Sequence, residues 1–439
     1  MIVSRFTYFL ERGRLWHSLH KKMISIPRCL YSELARGEEI KPELLQIGDI
    51  GTLLLESGFL VQDQVADDLL LQRVIEGQSK PLIQSLFLML KTVCNLECSY
   101  CLLGWEEAQT LLNPTKTMTT ETATSSVNRF ADLVANNPNP DDYWQAVTFY
   151  GGEPLLNLAT LTETVNYITR LKAQGILWKN TEMILNTNGV LVDEQFASFA
   201  AAMGIEVQVS LDGFKTEHDT NRVDHHGHGS FDRAVRGIEY LTAAQARVVP
   251  MITVNEANIP TLTEFVAWMS SELGIIEYSM NILMSETGSA PFGYGKRAAT
   301  AMWDAYHGNL SSGIRDCQYE SQLLAFAQGS GISRPSCGAN GRKLTVFPDG
   351  QVHTCQALNH SDESYVSRLE DFDPSLPNWI EWRNRTRFNR GECLSCPLLG
   401  SCGAGCAAGA YRSSGSIHGL DPNQCQWLKE TFNLWRESV

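Results

Sequence analysis

The chain has 439 residues, with 35 Lys and Arg against 49 Asp and Glu, a net charge of -14. That length favours two or three domains, and 43% hydrophobic with 19% charged residues describes a globular chain with a sizeable core. The acidic balance argues against broad binding to nucleic acid or anionic membranes.

No signal peptide is visible, because Met1–Leu10 is short and mixed and runs into the charged stretch Glu11–Arg14. The longest apolar run, Leu82–Leu90, is interrupted by Gln84 and Ser85 and is too short to span a bilayer. The expectation is a cytoplasmic protein with no membrane partner. In a reducing compartment the 12 cysteines point to metal rather than to disulfides.

Residues 1–80 read as a small α+β unit. A strand–turn–strand is predicted within Leu10–Ile26, turning near Gly13. Helical spacing follows over Pro27–Arg36 and Glu43–Ser57, then a short strand at Phe59–Val61, a helix over Asp67–Ile75 and a linker at Gly77–Pro81. From residue 82 short apolar runs alternate with helical stretches: Leu86–Leu90, Ala146–Tyr150, Met183–Asn186, Val207–Leu211, Val248–Val254 and Ile275–Leu283. Six such units imply a parallel sheet and a partial (β/α)6 barrel over residues 81–295. Residues 296–336 read as a helical bridge. Residues 337–439 are rich in Cys and Gly with little apolar periodicity, so this region is expected to need a metal to hold it.

In parallel sheets ligands lie at the carboxyl ends of strands. Four motifs fall there: Cys94 after the first strand, Gly151-Gly152-Glu153-Pro154 after the second, Asn186-Thr187-Asn188-Gly189 after the third and Ser210-Leu211-Asp212-Gly213 after the fourth. Cys94, Cys98 and Cys101 have CxxxCxxC spacing. Three thiolates can hold three irons of a [4Fe–4S] cluster and leave the fourth open. A structural zinc site is the alternative, but it ordinarily takes four protein ligands, and no nearby His or Cys supplies a fourth.

With Tyr100 in the aromatic place, this loop resembles the signature of the radical S-adenosylmethionine (SAM) superfamily. The resemblance implies that SAM chelates the open iron and is cleaved by one electron to a 5′-deoxyadenosyl radical, which abstracts a substrate hydrogen. It makes Gly151, Gly152 and Glu153 the site for the SAM ammonium, and gives Ser210 and Arg222 contacts to the ribose or carboxylate. Asn188 is a further candidate, although Asn-Gly is also an ordinary turn pair.

The later cysteines, Cys337, Cys355, Cys393, Cys396, Cys402, Cys406 and Cys425, resemble the SPASM domain, which holds two auxiliary [4Fe–4S] clusters. Carried over, auxiliary cluster I takes Cys337, Cys355 and Cys406, and auxiliary cluster II takes Cys393, Cys396, Cys402 and Cys425. Cys317 either completes cluster I or leaves an iron open to substrate. Two zinc ribbons are the alternative on spacing alone. The chain is thus expected to carry SAM and three [4Fe–4S] clusters. The full expectation is an α/β radical SAM barrel flanked by an N-terminal winged-helix-like domain and a C-terminal Cys-rich SPASM domain.

The first 80 residues resemble small winged-helix domains that capture the leader of a ribosomally made precursor peptide along a strand edge. The leading reading is therefore an oxidoreductase that matures such a peptide, by a cyclophane, ether or thioether cross-link or by another side-chain change. The runner-up is an anaerobic sulfatase-maturing enzyme that makes formylglycine; such enzymes usually carry Asp where this chain has Gln356. A non-catalytic zinc-held scaffold is the third. Arg383, Arg385, Arg387 and Arg390 read as a solvated face that could dock an acidic donor such as flavodoxin, a ferredoxin-like protein being the other electron source. His225, His226 and His228 read as a loop, and Cys29 as core.

Overall fold

Runs such as Ser85–Lys91, in which Leu86, Leu88, Met89 and Leu90 are all buried, belong to strands covered on both faces, as parallel sheets require. In the computed structural model these runs pair as expected. The described residues are 1–36, 49–77, 82–103, 116–137, 144–284, 293–327, 337–358 and 363–439. They form two bodies: residues 1–80, 321–336 and 385–405 make the first, and residues 81–320, 337–384 and 406–439 the second.

The first body has a two-stranded antiparallel pair, β1 (Ile2–Val3) with β5 (Leu60–Val61), and an antiparallel sheet of β2 (Thr7–Leu10), β3 (Arg14–His17) and β4 (Lys22–Ser25). The turn between β2 and β3 is Glu11–Gly13, where Gly13 takes φ +74 and a side chain would press on the Ile26 carbonyl. Helices α1 (Arg28–Ala35), α2 (Ile50–Glu56) and α3 (Gln64–Glu76) complete it. Part of the helix expected over Glu43–Ser57, and most of the linker at Gly77–Pro81, lie outside the described residues. The core gathers Leu15, Leu30, Leu34, Leu54 and Phe59. Cys29 is exposed, not core: it sits one position before Leu30 on α1, and that helix turns Leu30 and Leu34 inward.

The segment 385–405 packs with residues 1–80. Phe388 and Leu399 share a cluster with Phe6 and Leu19, and Trp16 Nε1 donates to the Pro397 carbonyl at 2.7 Å. The spacing of apolar residues gave no sign of this association across more than 300 residues of chain.

The second body is built on strands β6 (Ser85–Lys91), β7 (Ala146–Gly151), β8 (Glu182–Thr187), β9 (Ile205–Ser210), β10 (Arg247–Val254) and β11 (Glu277–Ile282), parallel and in chain order. The sheet extends beyond these six. β12 (Arg315–Asp316), inside the expected helical bridge, pairs parallel to β11, and β13 (Lys343–Val346) pairs parallel to β6. β14 (Gln351–His353) and β15 (Tyr365–Arg368) continue it antiparallel. The 337–439 region also holds more apolar core than its pattern promised: Trp379 and Trp382 are fully buried, and Trp427 nearly so.

Candidate functional site

The carboxyl ends of β6, β7, β8, β9 and β10 contribute to one constellation in the second body. The loop after β6 carries Cys94, Cys98 and Cys101, all half-buried. It is clamped to the end of β7: Gly152 N donates to the Lys91 carbonyl at 2.8 Å and Glu153 N to the Val93 carbonyl at 3.0 Å. A side chain on Gly151 would strike the Lys91 carbonyl, and one on Gly152 the Val93 carbonyl. The two glycines thus let the cysteine loop cross directly over the second strand end.

Glu153 is fully buried. Its carboxylate accepts from Leu155 N (3.0 Å), Thr187 Oγ1 (2.8 Å) and Asn188 N (2.9 Å). Burial outweighs those donors and raises its pKa to about 7. Asn188 Nδ2 lies 3.6 Å from Cys94 Sγ and donates to Asn95 Oδ1 at 2.8 Å. Ser210, the last residue of β9, is half-buried and in register with Met251.

The other side of the loop is pinned by residues 221–224. Glu97 N donates to the Val223 carbonyl and Ser99 N to the Asn221 carbonyl. This brings Arg222 to the cysteines, with Nη1 3.8 Å from Cys98 Sγ. Its firmest partner is Asp212, to which Nε donates at 2.8 Å. Asp212 also accepts from the Tyr100 hydroxyl and from Thr253 N. Burial pushes the Asp212 carboxyl up, but the Arg222 guanidinium outweighs it and holds the carboxyl below the usual range. Tyr100 and Arg222 are therefore tied by one buried carboxylate that the motif reading passed over; the signal was its place two residues past a strand end. His225, read as loop, brings Nε2 to 3.0 Å from the Cys94 carbonyl.

Cys337, Cys355 and Cys406 lie in the same body. Burial and then the neighbouring Cys337 and Cys355 push the Cys406 thiol up to about 12. Cys406 packs with Leu102 and Met284. Arg412 donates to the carbonyls of Leu102 and Ala357, each at 3.3 Å, so one side chain links the first cysteine loop to the chain after Cys355. Lys343, 5% exposed, stands 4.6 Å over the Phe87 ring and donates to Gln356. Neither residue was singled out by sequence, since an isolated Lys or Arg carries no pattern. Cys317 follows β12, at one end of the strand order, and donates to Glu277 Oε1 at 3.5 Å.

Cys393, Cys396 and Cys402 belong to the first body, and Cys425 to the helix Pro422–Ser438 of the second. In the basic run beside them Arg383 is half-buried, and the other three arginines are not on a solvated face. Arg385, Arg387 and Arg390 are 5%, 2% and 5% exposed, because each donates to a carbonyl of the chain that follows Cys396: Gly405 and Ala404, Leu399, and Ala404 respectively.

The Cys94–Cys101 donor set suits an iron–sulfur cluster. Burial, opposed only in part by backbone and Arg222 donors, holds the Cys94 and Cys98 thiols up at about 12 and about 11, so a cation is needed to draw out the thiolates. Among the described residues no three His, Cys, Asp or Glu side chains stand where they could hold one metal ion; a cluster instead takes one thiolate per iron.

Residues 89–268 match the Radical SAM superfamily. The radical SAM cyclopropyl synthase TigE of Paramaledivibacter caminithermalis is 19% identical over 98% of this chain and 94% of its own. A serine-type anaerobic sulfatase-maturating enzyme of Klebsiella aerogenes is 25% identical over 72% and 77%. Streptococcus suis SuiB, solved bound to its precursor peptide SuiA, shares the fold with a TM-score of 0.56 at 14% identity over 97% of this chain and all of that one. With the cysteine loop, the glycine crossing and the strand-end carboxylates in place, residues 89–268 of this chain are a radical SAM domain, whose chemistry calls for S-adenosylmethionine and a [4Fe–4S] cluster.

Proposed function

We propose that this chain is an oxidoreductase that matures a ribosomally made precursor peptide, installing a side-chain cross-link by C–C, ether or thioether formation. The observation that carries this reading is the pairing, in one body, of the Cys94–Cys101 loop with a second thiol set, Cys337, Cys355 and Cys406, with Arg412 joining them. Bound on the first loop, SAM and its cluster would supply a hydrogen-abstracting radical. Glu153, Gly151 and Gly152 would receive the SAM ammonium. Ser210 and Arg222 would face its ribose or carboxylate, with Asp212 holding the guanidinium. Tyr100 would fix the loop, and Asn188 would flank Cys94.

Auxiliary cluster I would rest on Cys337, Cys355 and Cys406. Cluster II would rest on Cys393, Cys396 and Cys402, with Cys425 as the fourth thiolate that the SPASM resemblance assigns. Cys317 remains the candidate fourth ligand of cluster I. The auxiliary clusters would receive the electron left on the substrate after bond formation, and a flavodoxin- or ferredoxin-like donor would supply the electron that cleaves SAM. The N-terminal sheet, whose order β2-β3-β4 ends on two outer strands, would take the leader along a strand edge.

The formylglycine alternative draws on the Klebsiella relative. Against it, the residue after Cys355 is Gln356, already engaged by Lys343, so no carboxylate base stands there. The test is to look for a short open reading frame beside the gene, coexpress its peptide with this chain and analyse that peptide by mass spectrometry. A cross-link removes two hydrogens and leaves a product inert to aldehyde reagents. A product that those reagents label would favour formylglycine, and an unmodified peptide would reject the maturase reading for that substrate.

A further inference from the structure

Cys317 either completes auxiliary cluster I or leaves one of its irons open, and strand β11 separates the two readings. Cys317 follows β12, whose Arg315 and Asp316 pair with Glu277 and Tyr278 at the start of β11. Its thiol donates to Glu277 Oε1 at 3.5 Å. The same carboxylate pairs with Arg247 at 3.3 Å, and Arg247 pairs with Glu206 at 2.9 Å. Arg247 opens β10 and Glu206 is near the start of β9. Cys317 thus belongs to a layer of charged side chains at the amino ends of these strands.

Cys406 lies at the other end. Its sulfur is 3.3 Å from the sulfur of Met284, which stands just past the carboxyl end of β11. Leu283, between them, is level with the end of β10, because Tyr294 Oη accepts from Leu283 N at 2.8 Å and donates to the Val254 carbonyl at 2.5 Å. β11 is six residues long, about 17 Å. Side chains stand roughly perpendicular to a sheet, so those of Glu277 and Met284 do little to close the gap between the two thiols.

The segments that carry Cys337 and Cys355 meet at Lys343. Lys343 N donates at 2.9 Å to the carbonyl of Gly338, the residue after Cys337. Its ammonium donates to Gln356, the residue after Cys355. Lys343 is 5% exposed, and its ammonium stands 4.6 Å over the Phe87 ring. Its partners are therefore a neutral amide and an aromatic face, and among the described residues it pairs with no carboxylate. Phe87 and Tyr150 are half-buried where their strand neighbours Leu86, Leu88, Phe149 and Gly151 are buried, so both face an accessible inner surface. Their rings are 6.0 Å apart, and Tyr150 packs in one cluster with Cys101. One wall of side chains thus runs from the first cysteine loop to the junction of the Cys337 and Cys355 segments.

We propose that auxiliary cluster I is held by Cys337, Cys355 and Cys406 without Cys317, and that its fourth iron takes an anionic donor of the peptide, with Lys343 as the counter-charge. This rests on the reading that those three thiols ligate a cluster. A metal with an open position accepts an outside ligand. A buried ammonium favours an anion beside it, since an uncompensated buried charge is costly.

The test uses full-length, anaerobically reconstituted protein in a Cys94→Ala, Cys98→Ala, Cys101→Ala background, which leaves the auxiliary clusters. Reduced protein is read by electron paramagnetic resonance, and the cluster I signal is the one that Cys355→Ala removes. If Cys355→Ala removes no signal and no iron, the cluster reading itself fails, separately from this proposal. Cys317→Ala should keep the cluster I signal and all of the iron, and loss of that signal overturns the proposal. Cyanide, a small anionic donor, should shift the cluster I signal and leave the cluster II signal in place. A cluster I signal that excess cyanide leaves unchanged overturns the open iron.

Lys343→Gln should raise the cyanide concentration for half of that shift by about tenfold, which is about 1.4 kcal/mol. Lys343→Arg should stay within about threefold of the parent. An equal concentration in Lys343→Gln and the parent rejects Lys343 as the counter-charge. Iron lost in Lys343→Gln but kept in Lys343→Arg also supports a charge requirement. Equal loss of iron in both makes Lys343 a structural residue and overturns its assignment.

Discussion

Arg222, beside the Cys94–Cys101 loop, donates to the buried Asp212 carboxylate. Arg385, Arg387 and Arg390, beside the Cys393–Cys402 segment, donate to backbone carbonyls. In the first region the guanidinium charge is matched, and the pair acts as a bracket that holds Tyr100 and the loop in one geometry. In the second, the guanidiniums tie the chain after Cys396 back to the Arg385–Arg390 turn through its carbonyls. A site that must bind a substrate-like cofactor benefits from fixed shape.

The largest expected effect breaks the first bracket. Asp212→Asn would leave the Arg222 guanidinium buried without its counter-charge, at a cost of about 3–5 kcal/mol. Thermal unfolding should show the loss, and adding Arg222→Met should recover part of it. A neutral Asp212→Asn would mean that the pair is not the bracket described.

Next is Trp16→Ala, which removes a fully buried side chain and its bond to Pro397, for about 3 kcal/mol. Because residues 1–80 cover the Cys393–Cys402 segment, this change should lower iron content as well as stability. For the same reason a leader-binding role is better tested by point changes on β2 or β4 than by deleting residues 1–80. Full iron in Trp16→Ala would separate the N-terminal unit from the cysteine segment.

Smaller is Gly152→Ala, an overpacking at the crossing of the cysteine loop worth about 2 kcal/mol. It should displace the loop and depress SAM cleavage while sparing iron at the auxiliary sites. Retained cleavage would show that the crossing tolerates a side chain.

At neutral pH the smallest effect belongs to His17. Burial, then His20, lower its pKa from 6.5 to about 3. A depressed histidine favours the neutral form when folded, so its contribution is full above pH 6.5 and is lost as the pH falls toward 3. His17→Gln should flatten the acid-side fall in stability of the first body. An unaltered slope would place the titration elsewhere.

Much of this was legible in the sequence. Apolar runs located all six strands of the barrel, and the glycines of Gly151-Gly152 marked a close crossing, because periodicity and glycine report local geometry. Asp212 was harder, since its importance comes from two partners, Tyr100 and Arg222, brought together only by the fold. The Arg385–Arg390 run misled because clustered charge is ordinarily solvated, and burial depends on the distant Phe6, Leu19 and Trp16. β12 and β13 were missed because two- and four-residue strands at the ends of a parallel run leave almost no pattern.

The central claim is that Cys94, Cys98 and Cys101 alone create the SAM-cleaving centre. The direct measurement is 5′-deoxyadenosine production by anaerobic protein carrying Cys94→Ala, Cys98→Ala and Cys101→Ala, with iron counted in the same sample. No 5′-deoxyadenosine, with auxiliary iron retained, is the predicted result. Undiminished 5′-deoxyadenosine from that variant would contradict it.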